Sequence, residues 1–146
     1  MFKLTEFGNR LNELMQEKEI KAPALAKQVN TDRTNITRYL RGERAPQFKT
    51  FVNLINFFNC SADYLLGLDE IPKDKNTFLP VQPFNIRLRE VLTRGKSQYG
   101  LMKEKKISNS ILHDWLSGEK LPSIVNLCKI AEYVECSIDY LLGREN

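Results

Sequence analysis

Apolar residues recur along the chain at the three- and four-residue spacing of amphipathic helices. Near the N-terminus this spacing joins Phe7, Leu11, Leu14 and Met15. A denser run over 48–58 places four apolar side chains on one face: Phe51, Leu54, Ile55 and Phe58. The pattern predicts an all-α protein whose core is built from short helices.

Polar residues at the edges of these stretches predict where each helix begins and ends. Thr5 is expected to cap the first helix, and Pro23 to lie in the first turn of the second, where a missing N–H is tolerated. Asp32 can accept from the unpaired N–H groups of a third helix, and Gly42 follows it as a stop. Serine takes the capping position at four further places: Ser61, Ser97, Ser108 and Ser137.

The second half of the chain repeats the first. A shift of 76 residues aligns 20–67 with 96–143 without a gap, and 13 of these 48 positions are identical. The two copies end in CSADYLLG and CSIDYLLG. Each copy predicts five helices, so we expect two tandem five-helix domains, at 1–67 and 83–146, with a linker at 68–82. Fully extended, that linker reaches roughly 50 Å.

The second copy departs from the first in places. Lys105 stands where the first copy has Val29, which predicts a second helix that is shorter or more exposed. A fourth helix is expected over 125–134. The first helix of this copy is expected to bury Ile86, Leu88, Val91 and Leu92.

Positive charge is concentrated in two matching segments. The whole chain carries a net charge of +4. Residues 20–49 hold seven lysines and arginines against two acids, and residues 94–122 hold six against three. An excess on corresponding segments of both copies favours an anionic partner.

Other features narrow the class of protein. The charged N-terminus is unlike a signal peptide, and no apolar run has the length of a membrane span, so a cytoplasmic protein without a membrane partner is expected. Three cysteines without a CxxC pair, and a single histidine, disfavour a disulfide framework or a zinc site. We expect no metal, no cofactor and no small-molecule ligand. With no phosphate loop and no nucleophile–His–acid arrangement, we do not expect an enzyme.

Two short helices joined by a tight turn, with a polar outer face on the second, form a helix-turn-helix motif. Leu25, Ala26, Ile36, Tyr39 and Gly42 carry the motif in the first copy, with G-E-x-x-P and D-Y-L-L-G after it. The chain resembles the Cro/CI-type (XRE) helix-turn-helix repressors, in tandem. The resemblance implies a lambda-repressor-like fold and double-stranded DNA as partner. Tyr39 and Trp115 are interpreted as core residues.

The resemblance also implies which residues contact DNA. The residues just inside the third helix, and one a turn later, face the base edges in the major groove. The candidate base-binding residues are Arg33, Thr34, Asn35, Thr37, Arg38, Asn109, Ser110 and His113. The candidate phosphate-binding residues are Lys27, Arg41, Arg44, Lys49, Ser97, Gln98 and Lys106.

Two interpretations of function stay open. One is a sequence-specific transcriptional regulator, a repressor of phage or mobile-element type, in which one chain places both copies on DNA or two chains form a homodimer. The other is a protein-interaction module, antirepressor or antitoxin-like, or one that dimerises through the second copy. Asp114 and Ile111 favour the second interpretation for the second copy, since both reduce its suitability for DNA.

Overall fold

The computed structural model describes residues 2–73, 78–93 and 95–146. Across these residues the secondary structure is entirely helical, as expected, with ten helices and no strand. The chain divides into two compact units, Met1–Thr77 and Phe78–Asn146. Part of the predicted linker, residues 74–77, lies outside the described residues, as does Arg94 of the second basic segment.

The first unit contains five helices: α1 (Leu4–Glu17), α2 (Ala22–Gln28), α3 (Arg33–Leu40), α4 (Phe48–Phe58) and α5 (Ala62–Leu65). Its core is formed by the predicted stripes, and the side chains with no exposed surface include Phe7, Leu11, Leu25, Ile36, Phe51, Leu54 and Ile55. Burial of these apolar side chains, each worth ~1.5–3 kcal/mol, holds the helices together.

The second unit also contains five helices: α6 (Phe84–Leu92), α7 (Gln98–Lys105), α8 (Asn109–Ser117), α9 (Ile124–Val134) and α10 (Ile138–Leu141). Its helices α7 to α10 each begin 76 residues after α2 to α5. Positive φ angles recur at the same shift, at Gly42 and Gly118 and at Gly67 and Gly143. The backbone plan of the first unit is therefore present twice.

A buried arginine links the first and last helices of each unit. Arg10 donates to the carbonyl oxygen of Tyr64 and lies 4.3 Å from the centre of that ring. Arg87 donates to the carbonyl oxygen of Tyr140 and lies 5.0 Å from its ring centre. Both arginines are 7% exposed. Each supplies a charged donor to carbonyl groups at the end of its domain, where the helix leaves them without an internal partner.

Close backbone contact fixes α1 against α3. A Cβ atom built on Gly8 would lie 2.6 Å from the carbonyl oxygen of Tyr39 and 2.9 Å from that of Leu40. No side chain fits between these backbones, so glycine sets the distance between the two helices. The Tyr39 ring packs edge-on against Phe7, with ring centres 5.9 Å apart.

Most of the predicted caps are confirmed, and one is wrong. Asp32, Ser61, Ser97, Ser108 and Ser137 each accept from a backbone N–H in the first turn of the following helix. Thr5 does not cap α1, because the helix already begins at Leu4. The N–H of Phe7 donates to the carbonyl oxygen of Lys3, which sets the first turn one residue earlier.

The structure corrects one expectation for the second unit and decides between the two alternatives of another. Ile86 is 48% exposed, and Phe84 is buried in its place. The reason is spacing: Phe84 is four residues from Leu88 and shares its face, whereas Ile86 is two residues away. Helix α7 is not shorter than α2, since it has eight residues against seven. It is the more exposed of the two helices, as the other alternative predicted, because it buries Leu101 alone where α2 buries Leu25 and Ala26. Lys105 lies at its partly exposed end and bonds Glu132 across 2.7 Å.

The segment before α6 contacts the C-terminal end of its own unit. The N–H of Leu79 donates to the carbonyl oxygen of Arg144 at 2.7 Å, and that of Gln82 to Leu142 at 3.0 Å. The Arg144 guanidinium lies 4.2 Å from the ring centre of Phe78 and pairs with the buried Asp139. Residues 78–82 are thus held by the second unit.

A candidate nucleic-acid interface on α3 and its counterpart on α8

Helix α3 presents one buried and one exposed face. Ile36 and Tyr39 anchor it, with 0% and 2% of their surface exposed. Arg33, Thr34 and Arg38 are exposed on the opposite side. The helix begins at Arg33 because the Asp32 carboxylate accepts from the N–H of Asn35 at 2.7 Å. This arrangement leaves the base-reading candidates facing solvent on a rigid element.

Six exposed cations lie on α3 or on the segments next to it in the sequence. We call them the basic surface: Lys27, Arg33, Arg38, Arg41, Arg44 and Lys49. Asp32 and Glu43 are the only acids between residues 20 and 49, and Asp32 is occupied in capping α3. A dense group of cations with few acids among them attracts a polyanion.

Asn35, predicted to read bases, is engaged within the protein. Its amide nitrogen donates to the hydroxyl of Thr31 at 2.9 Å, and its oxygen accepts from Arg44 at 3.3 Å. Thr37 donates its hydroxyl hydrogen to the carbonyl oxygen of Arg33 at 3.1 Å, so only its lone pairs remain available. The side chains of Asn35 and Thr37 therefore make bonds within the protein, unlike the exposed candidates of the same helix.

The turn before α3 is fixed from the other side. The amide of Asn53 in α4 donates to the carbonyl oxygen of Val29 at 3.1 Å. Burial raises the pKa of Tyr39 above its ordinary value of 10.0, and the side chains of Thr31 and Thr50 act to lower it. Helices α2, α3 and α4 thus meet around the Tyr39 side chain, which confirms its prediction as a core residue.

Helix α8 keeps the same scaffold with a different outer face. Leu112 and Trp115 are buried, as expected. Asn109, Ser110 and His113 are exposed. Asp114 lies 3.7 Å from Lys120, with 19% of its side chain exposed. The pair leaves the net charge of the segment unchanged, but it places a negative charge at the position that corresponds to Arg38.

Of the other second-unit candidates, one is bonded within the protein and two are exposed. Ser97 uses its hydroxyl to accept from the N–H of Gly100 at 2.9 Å, and its carbonyl oxygen accepts from the Tyr133 hydroxyl at 2.9 Å. Gln98, the first residue of α7, is exposed, as is Lys106 at its C-terminal end. The Lys105 ammonium holds the pKa of the Glu132 carboxyl below its ordinary value through their hydrogen bond.

Three apolar residues in α8 and in the segment after it are exposed: Ile111 is 44% exposed, Leu121 38% and Val125 51%. Ile111 stood out from the sequence, whereas Leu121 and Val125 did not. The signal was available in the repeat, since the aligned residues of the first unit are Asn35, Ala45 and Lys49.

Neither a metal site nor a membrane helix is found where the structure describes the chain. No group of three His, Cys, Asp or Glu side chains there could hold a metal ion. No helix among the same residues has the length and apolar character needed to cross a membrane.

Comparisons with known proteins agree with the motif. A family model described as "Helix-turn-helix" matches residues 11–65, which include α2 and α3. The chain is similar to the HTH-type transcriptional regulator ImmR of Bacillus subtilis (strain 168), with 34% identity over 84 residues. That match covers 58% of this chain and 66% of ImmR, which is just under two thirds of the relative's length. No solved structure matches the chain.

Proposed function

We propose that this chain, whose residues 11–65 belong to the helix-turn-helix family, is a sequence-specific DNA-binding transcriptional regulator. The observation that carries the proposal is the basic surface around α3, with Arg33, Thr34 and Arg38 turned outward. The similarity to a protein described as a transcriptional regulator supports it.

In this proposal α3 enters the major groove. Arg33 and Arg38 each offer a planar fork of donors that fits the O6 and N7 atoms of guanine, and Thr34 adds a shorter contact. Thr37 accepts from a base amine through its remaining lone pairs. Contact with base edges supplies sequence preference, at ~1–3 kcal/mol for a good bidentate pair.

The remaining cations hold the backbone. Lys27, Arg41 and Lys49 are exposed, and in this proposal they contact the phosphates that flank the groove. Arg44 joins them from the turn after α3, and Asn35 holds its guanidinium. These contacts determine how the helix is seated and carry no sequence information themselves.

The regulatory consequence is occlusion of a promoter by the bound protein. We place the chain with repressors of phage or mobile-element type, acting in the cytoplasm, where such a protein meets its DNA. The mechanism is binding alone and requires no enzymatic step. Helix-turn-helix proteins typically read two half-sites roughly 34 Å apart, so a second recognition helix is needed.

The second unit supports a different role. In this chain α8 carries Asp114 and Ile111 where α3 carries Arg38 and Asn35, and a carboxylate repels phosphates. The second candidate function is therefore protein interaction through unit 2, with DNA binding confined to unit 1. The covalent arrangement, in which one chain reads both half-sites, requires that α8 bind DNA as well.

Selection of bound fragments from a random DNA library tests the proposal. The full chain should enrich one motif, and its affinity should fall steeply with salt, with a slope near −0.9 for each phosphate neutralised. Two different half-motifs would support reading by both units, and a palindrome would support a homodimer. No binding at low salt, or equal binding to all sequences, would refute the proposal.

A further inference from the structure

An open cavity lies beside the turn that joins α9 to α10 in the second unit. Its volume is about 500 Å³, which falls within the range of ~300–1,000 Å³ that is typical of small-molecule sites. We call it the α9–α10 cavity, and it is lined by Val91, Lys96, residues 134–137, Tyr140 and Glu145. All of these residues belong to the second unit.

The cavity follows from one core exchange between the two copies. At the 76-residue shift, Phe58 at the end of α4 corresponds to Val134 at the end of α9. In the first unit the residues at this place are at most 5% exposed: Phe58, Cys60 and Ser61. Their second-unit counterparts are all partly exposed: Val134, Cys136 and Ser137. Because a valine side chain cannot fill the volume of a phenylalanine ring, the space that the ring occupies in the first unit is left open.

The charged residues of the lining are predominantly acidic. Glu135 and Glu145 supply two carboxylates, and Lys96 supplies one ammonium group at 4.0 Å from Glu135. Glu145 accepts from the hydroxyl of Ser137, which holds its carboxylate beside the turn. An excess of negative charge around a partly enclosed space favours a cation over an anion.

The remaining part of the lining is apolar or aromatic. It includes Val91, Val134 and the ring of Tyr140. Arg87 lies over that ring at 5.0 Å, but it is paired with Glu90 across 2.6 Å, so this pair adds no net charge. A few apolar side chains with polar groups at one side are the usual composition of a site for a small organic molecule.

We propose that the α9–α10 cavity binds a small organic cation, an ammonium ion that carries an apolar body. The apolar body displaces water from Val91 and Val134, and the ammonium group faces the carboxylate of Glu145. Sequence alone favoured no small-molecule ligand, because no motif marks the exchange of Phe58 for Val134. The inference goes beyond the proposed function, since among the described residues none of the DNA-binding candidates lines the cavity.

An NMR titration of the full chain with benzylamine tests the inference without DNA. Benzylamine is a cation at neutral pH and should bind with a dissociation constant on the order of millimolar, as expected for a molecule of its size. The backbone amide signals of 134–137, Tyr140 and Glu145 should shift and reach saturation. Benzoate has the same ring and the opposite charge, and it should cause no saturable shift of these signals.

Two variants test the apolar and the charged part of the cavity separately. Val134→Phe installs the residue of the first unit, should fill the cavity and should abolish the shifts. Glu145→Gln removes one negative charge and should raise the benzylamine dissociation constant about threefold or more. Glutamine can still accept from Ser137, so Glu145→Gln decides the question even if Val134→Phe does not fold.

Glu119→Gln is the matched control for charge. It makes the same exchange at an exposed carboxylate of the same unit, in the turn after α8 and outside the lining. Its dissociation constant for benzylamine should equal that of the wild type. Absence of saturable shifts in the wild type, equal binding of benzoate, or a folded Val134→Phe variant that still binds would overturn the inference. An equal effect of Glu145→Gln and Glu119→Gln would overturn it as well.

Discussion

Arg44 donates from Nη1 to the Oδ1 atom of Asn35 across 3.3 Å, which ties the turn after α3 to the first turn of that helix. Asn35 is itself held by Thr31 at 2.9 Å. A side chain with both ends bonded within the protein is poorly suited to read a base. Asn35 is better described as the residue that positions Arg44.

A double-mutant cycle tests this relationship. Asn35→Ala and Arg44→Ala should each weaken operator binding, and the double variant should be less affected than the sum, with a coupling of about 0.5–1.5 kcal/mol. Asn35→Ala combined with Arg41→Ala is the control and should be additive. Fluorescence anisotropy with a labelled operator measures all six proteins. Additive effects of Asn35 and Arg44 would contradict the positioning role.

Arg33 and Arg38 should carry sequence preference. Arg33→Ala or Arg38→Ala is expected to cost ~1–3 kcal/mol of operator affinity and to relax preference at one base pair each. Arg41→Ala should instead weaken binding to all sequences alike and reduce the salt slope by about one. Competition binding with single-base operator variants distinguishes the two patterns. Wild-type affinity in both Arg33→Ala and Arg38→Ala would show that another face of unit 1 contacts the bases.

Alkaline pH should destabilise the first unit through Tyr39. Burial raises the pKa of this phenol above 10.0, so the neutral form is favoured in the folded state. The corresponding stability is fully present below about pH 10 and is lost as the pH rises through the folded pKa. Tyr39→Phe removes the ionisable hydroxyl and should therefore have a flatter alkaline stability profile than the wild type.

Tyr99→Phe is the control for that experiment, because Tyr99 is 67% exposed. Thermal unfolding followed by circular dichroism across this pH range gives the three profiles. The profile of Tyr99→Phe should match that of the wild type. The pKa of Tyr64 is also raised, and this residue is present in all three proteins, so it does not distinguish their profiles. Equal slopes in the wild type and Tyr39→Phe would mean that Tyr39 does not ionise differently on unfolding.

The end of α9 carries backbone strain that the aligned position at the end of α4 reduces. Glu135 has a φ of +57°, and the aligned Asn59 has a φ of +49°. Asparagine tolerates this left-handed conformation better than most residues. Glu135→Asn should therefore stabilise the second unit by about 0.5–1 kcal/mol. Its pairing with Lys96 at 4.0 Å is exposed and contributes little.

The reverse exchange provides the comparison. Asn59→Glu should destabilise the first unit by a similar amount, and calorimetry of the full chain should detect both changes. If Glu135→Asn lowers stability, a contact of the Glu135 side chain outweighs the backbone strain.

The helices were predictable because their signals are local. Asp32 and Ser108 cap helices through N–H groups three residues away, and the stripe of α4 is visible in its own sequence. The exposure of Ile86 could have been predicted in the same way, since it lies only two residues from Leu88. Other features depend on a neighbouring element: the engagement of Asn35 depends on a turn nine residues later. The bond between Lys105 and Glu132 joins residues 27 apart.

The helix-turn-helix motif could be recognised in the sequence. Which candidate residues face solvent and which are bonded within the protein could be seen only from the side-chain geometry. The outward direction of Arg33 and Arg38 follows from helical spacing. The ion pair between Asp114 and Lys120 does not follow from helical spacing, because it depends on how the chain turns after α8. The residues assigned to bases and phosphates in both units remain predictions.

The identical starting points of α3 and α8 within their units make the chain a scaffold with two interchangeable positions for a recognition helix. Since Asp32 and Ser108 cap the two helices in the same way, outward side chains can be transplanted without changing the buried ones. Installing arginines at Asn109 and Asp114 would give a single polypeptide with two reading helices.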